Sequence, residues 1–182
     1  MTRSNRTGGY SLLELLCAVV VLVILASFLA PVAGSFKRRA QSLQCVTNLR
    51  GLHVAVNAYM GDHDGVWPQI KGSGSSDTNA QQEEIATGWI ETMGQYGISE
   101  KSWRCPTIEG RIKANGKPEA LKIKRLDYVP TKFGKQPHSA YTYPMQPWFI
   151  ERTSSHGRGP QILLSRGDVL TIDELLKESL NK

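Results

Sequence analysis

Residues 8–16 read Gly8-Gly9-Tyr10-Ser11-Leu12-Leu13-Glu14-Leu15-Leu16, and an apolar run follows them as far as Ala33. A hydrocarbon layer about 30 Å thick is crossed by roughly 20 apolar residues, and residues 10–33 supply that length. One carboxylate, Glu14, lies near the start of the run. An ionised acidic residue at the centre of a membrane helix costs about 2.5–3.5 kcal/mol and usually has a function. We therefore expect residues 10–33 to form a transmembrane helix in which Glu14 has a role.

The two glycines end a short polar leader, residues 1–9. If the chain is cut after Gly9, Tyr10 becomes the first residue and Glu14 the fifth. The new amine and the Glu14 carboxylate would then lie about one helical turn apart. These two opposite charges could pair within one subunit or between neighbouring subunits.

This segment resembles the N-terminal signal of type IV prepilins and type II secretion pseudopilins. In that family a dedicated peptidase cuts after the glycine and N-methylates the new first residue, which keeps the charge of the amine. The resemblance implies cleavage and methylation at Gly9 and Tyr10, assembly through Glu14, and a helix bend at Pro31. Tyr10 stands where phenylalanine is usual, and Ser11 where threonine is usual. The residues that match are Gly9, Tyr10, Ser11, Leu12, Leu13 and Glu14.

Other kinds of N-terminal segment fit less well. A secretory signal peptide has a shorter apolar region followed by a small-x-small cleavage site, whereas a plain signal anchor stays open as an alternative. Arg3 and Arg6 precede the span and residues 37–39 (Lys-Arg-Arg) follow it, so the positive-inside rule does not favour a cytoplasmic N-terminus. Because the peptidase acts on a cytoplasmic leader, we nevertheless expect a single-pass inner-membrane protein with its N-terminus in the cytoplasm and its remainder in the periplasm.

Length and charge limit the remainder of the chain. Of the 182 residues, those beyond the span number roughly 150, enough for one small domain. The formal charge is +6, and removal of the leader takes away Arg3 and Arg6. Since the positive charges are spread out, we expect them to aid solubility and expect no nucleic-acid partner.

Apolar residues after the span recur at steps of three and four, which predicts an amphipathic helix over residues 34–60. We expect the membrane helix to continue into it through a kink at Pro31, and two separate helices broken near Pro31 and Gly34 are the alternative. One helix over residues 10–60 would be about 75 Å long. The predicted stripe comprises Phe36, Ala40, Leu43, Val46, Leu49, Leu52, Val56 and Tyr59.

Residues 61–182 are predicted to form an α+β head domain with an antiparallel sheet, onto which the long helix packs. Glycine and proline between Gly61 and Pro68 end the helix, and Arg166-Gly167 is typical of a hairpin turn. Thr171 and Glu174 form a capping box. The predicted elements are a helix over residues 83–96, strands over 139–143, 148–151, 161–165 and 169–172, and a final helix over 173–180.

A second resemblance is to pilin-like proteins of planctomycete and verrucomicrobial bacteria. Those proteins carry Cys-x-x-Asn-Leu, a tyrosine, an Asp-x-Asp-Gly turn, a later Cys-Pro, and often His-x9-Asp-Gly near the end. Here His156 has the expected spacing to Arg166-Gly167, so the glycine of the last motif is kept and its aspartate is replaced. Residues 107–137 match nothing. The other matching residues are Cys45-Val46-Thr47-Asn48-Leu49, Tyr59, Asp62-His63-Asp64-Gly65 and Cys105-Pro106.

The three cysteines differ in position. Cys17 lies in the span and is expected to act as a small apolar residue. Cys45 and Cys105 would lie outside the cytoplasm, where disulfides persist, and a bridge across a loop of about 60 residues would add roughly 4 kcal/mol. Two thiols are one alternative. A zinc site with His53 is another, although no Cys-x-x-Cys pair supports it.

Other candidate sites are weaker. Residues 62–64 lack the distal glutamate of a calcium loop, and Asx residues beside glycine are ordinary turn formers. His156 follows Ser154 and Ser155, but no Gly-x-Ser-x-Gly elbow accompanies it. The four tryptophans are expected in the core or at an interface. We therefore expect no enzymatic activity, no metal and no cofactor.

The predicted function is that of a pilin-like structural subunit of a type II secretion pseudopilus. Its partners would be the prepilin peptidase, other pilin-like subunits and the inner membrane. A minor pilin of a type IV pilus is one alternative. A membrane-anchored periplasmic binding or enzymatic domain is another.

Overall fold

The structure, a computed structural model, describes residues 11–71, 78–154 and 159–180, with only the backbone conformation at 28–33 and 179–180. Gly9, Tyr10 and His156 lie outside the described residues. The chain divides into two compact units, one ending at Arg39 and the other comprising Ala40–Lys182.

The first helix, α1, comprises Leu12–Asp62. The Ser11 carbonyl accepts hydrogen bonds from the backbone N–H groups of Glu14 and Leu15, which begins the helix. Because α1 includes both Pro31 and Gly34, the alternative of two separate helices is wrong. In the described part of the chain, no helix combines the length and the apolar character needed to cross a membrane.

The second half of α1 lies in the second unit and contributes one face to its core. Of the predicted stripe, Leu49, Leu52 and Val56 are fully buried, but Phe36 and Leu43 are 66% and 59% exposed. The predicted stripe is therefore buried in the second unit only in its second half, since spacing alone does not show where the covering residues begin. The buried face is instead formed by Cys45, Asn48, Leu49, Leu52, Ala55, Val56 and Met60.

The second unit has an α+β architecture with a four-stranded antiparallel sheet, as predicted. The strands are β1 (Tyr128–Pro130), β2 (Pro147–Glu151), β3 (Gln161–Leu164) and β4 (Val169–Thr171), and they are ordered β1-β2-β3-β4. Val129 pairs with Ile150, which pairs in turn with Ile162. This meander uses only connections between neighbouring strands.

One predicted strand is wrong and one strand was missed. Residues 139–143 begin with a 3-10 turn, Ser139–Tyr141, after His138, whose φ is 60°. The Ala140 carbonyl accepts a 2.8 Å hydrogen bond from the Trp148 indole N–H, which holds this turn over the core. The missed strand, β1, has three residues and ends in proline, so it carries almost no alternation.

Helices α2 (Asn79–Gly94), α3 (Pro106–Ala114) and α4 (Ile172–Leu180) complete the unit, together with 3-10 turns at Glu100–Trp103 and Pro118–Leu121. Helix α2 begins earlier than predicted because Thr78 and Gln81 form a capping box. The predicted capping box of α4 is confirmed: the Thr171 N–H donates to Glu174 Oε2 over 2.8 Å, and the Glu174 N–H donates to Thr171 Oγ1 over 3.4 Å.

Aromatic rings fill the centre of this unit. Trp67 packs edge-on against Trp89, Trp148 and Phe133, with ring centroids 5.9, 5.2 and 4.7 Å away. Edge-to-face pairs at such distances stabilise a core beyond their buried area. Trp103 continues the cluster beside Trp89. All four tryptophans are at most 1% exposed, so of the two predicted locations, core or interface, the structure shows the core.

Candidate functional site

Both predicted assembly residues, Glu14 and Pro31, belong to α1. Glu14 is exposed in the first helical turn, where the helix dipole favours a carboxylate. Pro31 lies within α1. Gly9 and Tyr10, the predicted cleavage and methylation residues, lie outside the described part of the chain.

The apolar segment around Glu14 is strongly exposed. Its large side chains have exposed fractions between 49% and 87%. Each would contribute about 1.5–3 kcal/mol if it were fully buried, so this surface favours contact with lipid or with protein. The side chains are those of Leu12, Leu13, Leu15, Leu16, Val19, Val20, Val21, Leu22, Val23, Ile24 and Leu25.

A second site lies inside the second unit, Ala40–Lys182, which we call the head unit. There the structure gathers Cys45, Cys105 and Glu151. One ligand atom from each lies within 4.8 Å of the other two, and all three residues are buried. We call this group the thiol–carboxylate cluster. In the described ranges, 11–71, 78–154 and 159–180, it is the only such group of three potential metal ligands. The candidate metal site is therefore distinct from the turn at residues 62–64.

Three different elements supply the cluster. Cys45 lies on α1, Cys105 is the N-cap residue of α3, and Glu151 is the last residue of β2. Pro106 occupies the first turn of α3, a position where proline costs no hydrogen bond. Because regular elements hold Cys45 inside α1 and place Cys105 and Glu151 at the start of α3 and the end of β2, the three side chains converge without a local sequence motif.

Hydrogen bonds orient the residues around the thiols. The Cys105 N–H donates to Asp127 Oδ2 over 2.7 Å, and Arg125 Nε donates to the other oxygen of Asp127 over 2.9 Å. Glu151 Oε2 accepts from the backbone N–H of Gln161 over 3.2 Å. The buried Asp127 thus anchors the start of α3, while the strand pair β2–β3 anchors Glu151.

Asn48 also makes hydrogen bonds beside the thiols. Its Nδ2 donates to the Arg104 carbonyl over 3.2 Å and to the Tyr128 hydroxyl over 3.4 Å. Asn48 is three residues after Cys45, so both face the same side of α1. The Cys-x-x-Asn part of the second resemblance therefore corresponds to a thiol and an amide that serve one buried site.

The two thiols differ in acidity. The Cys45 S–H donates to Cys105 Sγ over 3.3 Å, and this hydrogen bond lowers the pKa of Cys105 to about 6. The same hydrogen bond, together with burial, raises the pKa of Cys45. Burial also raises the pKa of Tyr128. Cys105 is therefore the thiol that more readily becomes a thiolate.

The structure brings together the two cysteines named for a disulfide but contains them as thiols. Their sulfurs are 3.3 Å apart, whereas a disulfide bond is about 2.05 Å long. The predicted bridge is therefore absent from this structure. The zinc alternative with His53 is also corrected, because His53 Nε2 donates to the Ser165 carbonyl over 3.0 Å and its ring packs on Trp148.

The turn at residues 62–64 is held by other contacts. Asp62 Oδ2 accepts from the Tyr96 hydroxyl over 3.2 Å. The His63 ring stacks on Tyr59 with 3.9 Å between centroids, and its Nδ1 donates to the Tyr59 carbonyl over 2.8 Å. These contacts agree with the interpretation of this segment as a helix-ending turn.

Gly167 has a structural explanation. It lies in the predicted hairpin between β3 and β4 and donates its N–H to the Leu164 carbonyl over 2.9 Å. Its φ is +92°, and a Cβ atom there would lie 3.0 Å from His53 Cε1. The position thus requires both left-handed backbone and close approach to a ring, two demands that glycine meets.

Sequence reasoning missed Glu151 and Asp127. Glu151 ends an otherwise apolar strand, Pro147–Glu151, and is itself buried. Asp127 directly precedes β1, in the stretch that matched no family pattern. An acidic residue at the end of an apolar strand was the available signal for Glu151, whereas no comparable signal marked Asp127.

Comparison with protein-family models, curated proteins and solved structures finds no match to this chain. No similar protein therefore suggests a role for the apolar segment around Glu14 or for the thiol–carboxylate cluster.

Proposed function

We propose that this chain is a pilin-like subunit that is stored in the inner membrane, cut between Gly9 and Tyr10, and assembled into a periplasmic filament. The second resemblance favours a type II secretion pseudopilus over a type IV pilus. The observation that carries the proposal is the combination of a glycine-ended leader, one carboxylate and a long apolar helix start. Each feature is common alone, but together they match one family's signal.

The exposed surface of α1 supports this proposal. Side chains such as Leu12 and Leu22, which are 87% and 64% exposed, need an apolar surrounding. Lipid would provide it before assembly, and the helices of neighbouring subunits would provide it afterwards. Glu14 is the single acidic residue of this segment.

Glu14 has a defined role in the proposal. After cleavage, Tyr10 carries an ammonium group, and Glu14 of an adjoining subunit would neutralise it during entry into the filament. Pairing lowers the cost of placing either charge in an apolar surrounding. The head unit would then lie on the periplasmic side.

The test is the intact mass and N-terminal sequence of the protein extracted from native membranes, compared with cells that lack prepilin peptidase. We expect an N-methylated Tyr10 start that disappears without the peptidase. A chain that keeps Met1 or Thr2, or that is cut beyond Ala33, would contradict the proposal. That result would favour a secreted or membrane-anchored domain.

Deletion of the N-terminal helix distinguishes the remaining alternative. An anchored binding or enzymatic domain would remain active as a monomer without residues 10–33. A filament subunit would lose its function, because assembly requires the helix. Purification of the assembled filament, followed by identification of its other subunits, separates a pseudopilus from a type IV pilus.

A further inference from the structure

We propose that Cys45, Cys105 and Glu151 form a zinc-binding site inside the head unit. This inference does not depend on the proposed function, because it concerns residues of the second unit and not the apolar segment. It departs from the expectation of no metal, which followed from the absence of Cys-x-x-Cys spacing. The three ligands are at least 46 residues apart in sequence and belong to different elements, so no local sequence motif could predict the site.

The ligand chemistry fits Zn²⁺. Zinc is bound by cysteine sulfur at about 2.3 Å and by carboxylate oxygen at about 2.0–2.2 Å. A mixed set of two sulfurs and one oxygen suits a cation of borderline softness, whereas Cu⁺ prefers sulfur alone and Mg²⁺ or Ca²⁺ prefers oxygen alone. The cluster has two sulfurs and one carboxylate within 4.8 Å of one another.

The distance between the sulfurs also fits zinc better than a disulfide. Two sulfurs bound tetrahedrally to one zinc ion at about 2.3 Å lie about 3.8 Å apart. From the observed 3.3 Å, zinc binding therefore requires an increase of about 0.5 Å. A disulfide requires a decrease of about 1.2 Å. The Sγ–Sγ distance therefore has to change less for zinc binding than for a disulfide.

Burial and hydrogen bonds hold the three ligands in place in the structure. Cys45 and Cys105 are 0% exposed and Glu151 is 2% exposed. Asp127 fixes the Cys105 backbone over 2.7 Å, and Gln161 fixes the Glu151 carboxylate. Groups that orient metal ligands in this way usually raise metal affinity 10–100-fold.

Zinc binding would release protons and change no oxidation state. Each cysteine binds the metal as a thiolate, so a proton still held by either sulfur passes to solvent as the Zn–S bond forms, while Glu151 contributes a carboxylate oxygen. The metal then joins α1, the start of α3 and the end of β2. The hydroxyl of Tyr128 interacts with Cys45, so this residue is a neighbour of the three ligands.

The experiment uses the full chain, purified in detergent with a phosphine reductant and stripped of metal by a chelator. Zn²⁺ is titrated in competition with a chromophoric chelator. Cd²⁺ is titrated separately, because its bond to thiolate produces an ultraviolet charge-transfer band. We expect one Zn²⁺ per chain, one Cd²⁺ per chain with that band, and a raised melting temperature with Zn²⁺.

Variants assign the ligands. Cys45→Ser and Cys105→Ser should abolish tight Zn²⁺ binding, and Glu151→Gln should weaken it about 10-fold or more. Cys17→Ser is the matched control, because this residue is an exposed cysteine outside the cluster, and it should bind like the natural chain. Tryptophan fluorescence checks that each variant is folded, since all four tryptophans are buried in the head unit.

Three results would overturn the zinc site. One is a folded, reduced natural chain that binds no Zn²⁺ or Cd²⁺ stoichiometrically. A second is equal Zn²⁺ affinity in the natural chain and Glu151→Gln, which would remove the carboxylate from the site. The third is native protein whose mass is lower by two hydrogens and whose Cys45 and Cys105 peptides are disulfide-linked. None of these results bears on cleavage at Gly9, so the two proposals fail separately.

Discussion

Replacement of Gly167 by alanine tests the hairpin that closes the sheet. Gly167 has a φ of +92°, and an added Cβ would lie 3.0 Å from His53 Cε1 and 3.3 Å from its Nδ1. A non-glycine residue in left-handed backbone costs about 1–2 kcal/mol, and overpacking against a fixed neighbour costs about 1–3 kcal/mol. We therefore expect Gly167→Ala to lower the free energy of unfolding by about 2–5 kcal/mol.

The His53 ring cannot easily yield to the added methyl group. Its Nε2 donates to the Ser165 carbonyl over 3.0 Å, and its ring lies 4.9 Å from the Trp148 ring. Movement of the ring would break the first contact or disturb the aromatic core. The clash should therefore appear as a loss of stability and not as a silent rotation.

Gly97→Ala is the matched control. Gly97 has a φ of +83°, but among the described residues no atom lies within 4 Å of its added Cβ. It should therefore show the backbone cost alone, about 1–2 kcal/mol. Urea unfolding is followed by tryptophan fluorescence, and with a slope of about 1–3 kcal/mol per M the difference between the two variants is measurable as a shift in midpoint.

A double-mutant cycle isolates the contact. When His53→Ala is combined with Gly167→Ala, the cost of the glycine replacement should fall by about 1 kcal/mol or more, because the ring that the methyl group meets is gone. Equal losses in Gly167→Ala and Gly97→Ala, or additive effects of His53→Ala and Gly167→Ala, would refute the proposed close approach.

Two further predictions concern buried and exposed charges. Asp127→Ala should destabilise the head unit by about 3–5 kcal/mol, because Asp127 is 1% exposed and accepts hydrogen bonds from Cys105 and Arg125. The control is Glu119→Ala, which removes an exposed ion pair. In the same urea assay it should change stability by about 0.5 kcal/mol or less. Glu14→Ala should leave cleavage of the leader largely intact but impair filament incorporation, as measured by intact mass and by recovery in sheared filaments; normal incorporation would remove Glu14 from the mechanism.

Helices α1, α2 and α4 and the last hairpin could be predicted from local patterns, whereas α3 was not predicted. The steps of three and four before Met60 indicated the second half of α1, and Thr171 with Glu174 indicated the start of α4. Arg166-Gly167 indicated the hairpin. Each of these signals acts between residues close in sequence, through backbone hydrogen bonds or turn geometry, so no other part of the fold was needed to interpret it.

Other elements depended on contacts that the sequence does not display. Residues 139–143 were predicted to form a strand, but the hydrogen bond from Trp148 to Ala140 accompanies a 3-10 turn there. Strand β1 is too short to show a period and depends on pairing with β2. In both segments, long-range contacts outweigh weak local preference.

The same division applies to the candidate sites. By itself the sequence determined the apolar run that contains Glu14, the spacing of the second half of α1, and the aromatic residues available for a core, since each is a property of neighbouring residues. Only the tertiary structure placed Glu151, and not His53, beside Cys45 and Cys105. Residues on α1, α3 and β2 meet there because the strand pairing and the burial of the aromatic rings bring distant backbone segments together.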